Sequence, residues 1–254
     1  SAMTPSTTQP GCVRFSPYVN GLSPNSGKAP GSALIGQLLD VLVQKTKFRC
    51  IMIGDMSGIY SKVVEAASTR GIKVFGVIYI SSDFKTNGDI NEAIRLSKLY
   101  TSTVIGLSCG LEVAWENKDL VGSATVVNRC IKQLRDGGVK QPIGYCETFY
   151  AWCGNNDWPC SSVYSQVYNN VDFVGLSQFA WWENVMSPNF PCVKARDALD
   201  YTIKKVAELK RELGDSKPIL LTSHGWYVFL LLINIVGLEA MEMISYLLQT
   251  NTLV

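Results

Sequence analysis

The chain of 254 residues has one histidine, His224, and no cysteines spaced CxxC. The usual zinc ligand sets therefore have little to build on, and no metal site is expected. No GxGxxG or GxxxxGK loop follows any apolar run, which argues against the nucleotide-binding α/β folds, and no cofactor is implied. Charge is sparse and balanced, with 23 Lys and Arg against 21 Asp and Glu and a net of +2. Without a basic stripe or an acidic block, neither nucleic acid nor an anionic membrane is expected as partner. Long apolar runs are missing too. The stretch "WYVFLLLINIV" has 11 residues, one of them Asn, whereas a membrane span needs about 20. A buried element is expected there instead. The start, "SAMTPSTTQPG", has no apolar segment of the signal-peptide kind. Residues 1–12 read as a flexible leader, a Ser-Ala-Met tag remnant followed by a Ser/Thr/Pro run suited to O-glycosylation.

Cysteine and tryptophan are plentiful. Eight cysteines, an even number, fit a secreted protein, although eight allow 105 pairings. The best local candidate, Cys153 with Cys160 in "CGNNDWPC", would staple a polar loop into a rigid flap. Cys50, Cys109 and Cys146 lie in apolar strand patterns, where a buried thiol and a disulfide both fit. Six Trp gather between Trp115 and Trp226. Their flat faces suit sugar rings, and they suit a core equally well.

Short apolar runs alternate with amphipathic ones. Strands are expected at 13–18, 49–53, 73–80, 104–109, 142–147, 171–177 and 219–223. Helices are expected at 33–44, 59–70, 90–99, 121–135 and 195–213, the last with Ala195, Leu199, Thr202, Val206, Leu209 and Leu213 on one face. Strands that are apolar throughout and separated by helices belong to a parallel sheet covered on both sides. The rhythm predicts an α/β fold, a (β/α)8 TIM barrel, with residues 13–254 forming one barrel domain. A further helix, strand and helix would take roughly 50 residues after the seventh strand, and the stretch after Trp226 is much shorter. Its last unit, with 228–236 as strand and 238–249 as helix, is therefore shortened or atypical.

The seventh strand ends in "KPILLTSHGWY", which brings Ser223 and His224 to a strand end. Neighbours on a strand point to opposite faces, so the two do not make a nucleophile and base, and no GxSxG elbow surrounds the serine. Carboxylates at strand ends are better candidates. Glu112 follows the fourth strand, Glu147 closes the fifth and Glu183 lies just past the sixth. Each could be a general acid whose proton is held by partial burial, or could cap a helix or pair with a base.

The segments "FSPYVNG", "YSKVVEAASTRGIKVFGVIYI", "VIGLSCGLEV", "PIGYCETFYAW", "VDFVGLSQFAWWEN" and "KPILLTSHGW" resemble, in the same order, the strands of glycoside hydrolase family 17. These are the β-1,3-glucanases and β-1,3-glucan transglycosylases, and the fungal cell-wall type is most alike. The resemblance spans Arg14 to Trp226. It implies a TIM barrel, a retaining mechanism, secretion or a cell-wall location, and β-1,3-glucan or laminari-oligosaccharide as partner. It also implies an acid/base glutamate after strand 4, matched by Glu112 in "GLEV", and a nucleophilic glutamate after strand 7, matched by Ser223 in "TSHGW". Leu111 stands where the family has Asn, and Ser177 where Asn is usual. The tyrosine expected after the strand 2 arginine is absent, since Cys50 follows Arg49.

A retaining glycosidase needs its second carboxylate to attack the anomeric carbon. A serine without a base replaces it poorly, and Leu111 offers no donor to a sugar 2-hydroxyl. Three readings follow. One is a glucan hydrolase or glucanosyltransferase impaired at Ser223. Another is a non-catalytic glucan-binding pseudo-enzyme keeping an aromatic cleft of Tyr18, Tyr145, Trp181, Trp182 and Trp226. The third is a barrel whose mouth is rebuilt for another ligand or reaction. Glu147, Ser177 and Glu183 are expected around the same cleft. Nothing in the sequence specifies an oligomeric state.

Overall fold

The computed structural model describes residues 11–19, 22–81, 83–114, 120–153, 167–180 and 193–224. Its strands and helices alternate as β1 (Val13–Arg14), α1 (Ser32–Lys45), β2 (Cys50–Ile53), α2 (Ile59–Ser68), β3 (Lys73–Ile78), α3 (Asp83–Leu99), β4 (Val104–Leu111), α4 (Leu120–Asp136), β5 (Ile143–Thr148), α5 (Phe149–Cys153), β6 (Phe173–Gln178), α6 (Ala198–Leu213) and β7 (Ile219–His224). The strands bond in chain order as one seven-stranded sheet. β1 with β2, β2 with β3, β3 with β4, and β6 with β7 are parallel. Parallel neighbours need a crossover, and the helices supply it, so this is an α/β barrel-like fold. The expected eighth strand and last helix lie outside the described residues. Among the described residues no helix is long and apolar enough to cross a membrane.

The chain divides into two compact units, Ser1–Leu111 with Thr125–Gly144, and Glu112–Ala124 with Tyr145–Val254. In the first, Ile51 and Ile53 of β2, Val74 and Ile78 of β3, Ile35 and Leu39 of α1, and Val63, Val64 and Ala67 of α2 are fully buried. The helical ones sit at spacings of three and four, as a core-facing stripe requires. β3 and β4 approach closely across Gly76, where a Cβ would overlap Met56 Sδ and come within 2.9 Å of Leu107 Cδ2. Asp89 of α3 is buried with 0% exposure. It accepts from Met56 N after β2 and Tyr79 N after β3, both at 2.7 Å, and so pins the helix to two strand ends. Burial, then the hydrogen bond and charge of Asp55, push its carboxyl up to about 8. Disulfides join Cys12 to Cys50 and Cys109 to Cys130, with Cα atoms 4.3 Å and 5.9 Å apart. Of the three strand cysteines, Cys50 and Cys109 are thus bridged. The expected Cys153–Cys160 bridge falls on Cys160, outside the described residues.

In the second unit β6 is buried at every position, as a strand covered on both faces should be. Gly175 lets β6 lie against Cys146, whose Cα would be 2.8 Å from a Cβ there. On α6 Thr202 and Leu209 are buried, but Leu199 is 39% exposed. The expected face is thus the buried one except at Leu199, and Lys205 lies with its Nζ 4.1 Å from the Phe149 ring centre.

Candidate functional site

β4 ends at Leu111, which is half-buried, and Glu112 begins the turn that follows. Among the described residues Glu112 is the one non-glycine with positive φ, at 56°. A side chain in that left-handed region crowds its own backbone, at a cost of about 1–2 kcal/mol. The turn is held on both sides by β5. Glu112 N donates to Cys146 O at 2.9 Å. Two residues on, Ala114 N donates to Glu147 Oε2 at 3.0 Å and to Tyr145 Oη at 3.2 Å. The carboxyl of Glu112 then accepts from Ser177 Oγ at the end of β6.

Tyr145 and Glu147 are two residues apart on β5 and share one face. Tyr145 Oη donates to Glu147 Oε2 at 2.5 Å, and Thr148 N to Oε1 at 2.7 Å. Both Glu147 oxygens are therefore engaged. The residue is 0% exposed. Burial pushes its carboxyl up to about 7 against the pull of these bonds, and the charge of Glu112 adds to the rise. Tyr145 is 1% exposed. Its ring meets Trp152 edge-on at 5.4 Å, and Trp152 Nε1 donates to Gly175 O at 3.0 Å. Two hydrogen bonds joined by one ring contact thus run from Gly175 through Trp152 and Tyr145 to Glu147.

The pairing of β6 with β7 shifts between Leu176 and Ser177, so that Ser177 stands opposite Ser223 and Gln178 opposite His224. Such an irregularity re-aims the side chains around it. Position 223 is accordingly the backbone neighbour of the serine bonded to Glu112. The side chain of Ser223 and the residues Trp181, Trp182, Glu183 and Trp226 lie outside the described residues. Tyr18 belongs to the first unit, half-buried and edge-on to Tyr60 at 6.5 Å. The geometry therefore joins Glu112, Ser177, Tyr145 and Glu147 within the second unit. Sequence reasoning missed the grip of Glu147 on Ala114 N. The Tyr-x-Glu spacing is its one local trace.

No family model and no curated protein matches the chain in sequence. Solved structures do match in three dimensions. An endo-laminarinase from Formosa Hel1_33_131 superposes with a TM-score of 0.67 at 15% identity, over 85% of this chain and 66% of that one. A glycoside hydrolase family 17 β-1,3-glucanosyltransferase from Rhizomucor miehei gives 0.63 at 16%, over 84% and 70%. Its active-site mutant has been solved with laminaritriose. A β-glucuronidase from Bacteroides uniformis gives 0.62 at 12%, over 85% of this chain and 25% of that one. The likeness is one of fold. This chain spans about two thirds of the length of the first two structures.

Proposed function

We propose that this chain is a β-1,3-glucan-active barrel of the retaining glycoside hydrolase or glucanosyltransferase type, completed by an eighth strand, whose turnover is impaired because Ser223 occupies the nucleophile position. The observation that carries the reading is the row Glu112–Ser177–223, in which a strand-end carboxyl is bonded to a serine standing opposite the residue matched to the nucleophile. The fold it shares with a laminarinase and a family 17 glucanosyltransferase supports the same substrate class. Glu112 is the proposed acid/base. Tyr18, Leu111, Tyr145, Trp181, Trp182, Glu183 and Trp226 are proposed to line the sugar site. Glu147 is a poor candidate for the missing nucleophile. It is buried, both its oxygens accept hydrogen bonds, and its raised proton affinity leaves much of it neutral near pH 7. Two disulfides among the described residues suit secretion or a cell-wall location.

The deciding experiment compares binding with turnover. Laminaritriose should bind, while laminarin hydrolysis falls far below ordinary enzyme rates of roughly 1–1000 per second. Azide should restore cleavage of an aryl β-glucoside by filling the space of the missing carboxylate. Ser223→Glu, alone or with Leu111→Asn, should raise laminarin turnover by orders of magnitude. Ordinary turnover by the unchanged chain would sink the vacated-nucleophile reading. Binding that never gains turnover would favour the pseudo-enzyme.

A further inference from the structure

The turn carrying Glu112 has an unusual support. A strained backbone residue persists when its surroundings fix it from several directions, and here the fixing points lie on one strand, β5. The carbonyl of Cys146 takes the amide of Glu112. The next side chain, Glu147, takes the amide of Ala114 together with the hydroxyl of Tyr145. We propose that Glu147, braced by Tyr145, is a positioning residue for Glu112, its carboxyl setting the turn that aims Glu112 at Ser177. The assignment rests on the reading of Glu112 as the acid/base.

Glu147 differs from an ordinary backbone prop in that it carries a proton. Its buried carboxyl titrates at about 7, and the groups acting on it are Tyr145 on its own strand and Glu112 on the turn. Below that pH one oxygen holds a proton and the Ala114 amide faces a weaker acceptor. Above it, a carboxylate accepts from Ala114 N, Tyr145 Oη and Thr148 N, and such charge-assisted bonds are roughly twice as strong as neutral ones. The state of Glu147 is therefore felt at positions 112 and 114. Thr148 N feels it too, through the other oxygen.

The test reads backbone amides of the intact chain by NMR between pH 5 and 9. The amides of Glu112, Ala114 and Thr148 should share one titration step near pH 7. In Glu147→Gln, which keeps the shape and loses the charge, that step should vanish. The new amide NH2 must face one of the two backbone donors, so Ala114 or Thr148 should also exchange its amide hydrogen at least about tenfold faster, the factor given by one lost hydrogen bond of roughly 1.4 kcal/mol. Tyr145→Phe keeps Glu147 but removes the hydroxyl bond that lowers its proton affinity, so the step should move to higher pH. This second variant decides the matter if the first fails to fold. No shared step in the wild type, or a step that survives Glu147→Gln unchanged, overturns the proposal. Laminaritriose added to the same samples keeps the two readings apart. A chain that shows the step but no response to the sugar retains the positioning role of Glu147 and loses the glucan function.

Discussion

At the scale of single residues, the buried carboxyls are the most informative. Asp89 is held neutral well into the physiological range, titrating at about 8. Its folded-state value lies above its unfolded one, so between about pH 4 and 8 the folded chain binds more protons, and this group's contribution to stability falls as pH rises. Asp89→Asn removes that slope but turns an amide NH2 toward one of two backbone donors, Met56 N or Tyr79 N. The expected cost is about 1–3 kcal/mol at pH 5, shrinking toward pH 8, as read by urea unfolding. The same gap at both pH values would contradict the protonated state assigned to Asp89. Neither this anchor nor the grip of Glu147 on Ala114 was legible in the sequence. Met56 and Ala114 each lie 33 residues from the carboxyl that takes their amide, and no local pattern encodes that reach. Glu112 and Ser177 were legible because each closes a recognisable apolar strand.

Among the elements, all seven expected strands form, and their limits differ for physical reasons. β1 stops at Arg14 rather than running to Tyr18. Phe15 N still bonds to Met52 O, but Pro17 has no amide to continue the ladder. α3 begins at Asp83, seven positions before the expected Ile90. The Asn87-Gly88 pair looks like a break in sequence, and the anchored Asp89 carries the helix through it. α6 starts at Ala198 because residues Ala195–Asp197 form a 3-10 turn. The close strand contacts yield a comparative prediction. Gly175→Ala would press on the backbone of Cys146, which has nowhere to move, and should cost about 1–3 kcal/mol. Gly76→Ala meets only the ends of Met56 and Leu107, which can shift, so it should cost less. Thermal unfolding of the two variants gives the order, and the reverse order would refute this account of the packing.

For the whole molecule, two opposing conditions set stability. The bridges Cys12–Cys50 and Cys109–Cys130 close loops of 38 and 21 residues, both in the first unit. Loop-closure entropy assigns each about 3–4 kcal/mol, so a reducing agent should lower the melting temperature by roughly 10 °C or more. Calorimetry with and without reductant tests this, and an unchanged transition would show that the bridges stabilise little. Protons act in the other direction. Asp89 and Glu147 both hold protons in the fold that the unfolded chain releases. Net stability should therefore decline from about pH 5 to 8, and the double variant Asp89→Asn with Glu147→Gln should flatten the decline.

The left-handed backbone of Glu112 sets its own fitness against its neighbours'. Glycine adopts that conformation without penalty, which recovers about 1–2 kcal/mol, against up to about 1 kcal/mol for the freer unfolded chain. Glu112→Gly should thus fold about as well as the parent while losing the proposed acid. Selection for stability alone would let this carboxylate drift away. Its retention would then mark a use for this carboxylate beyond folding.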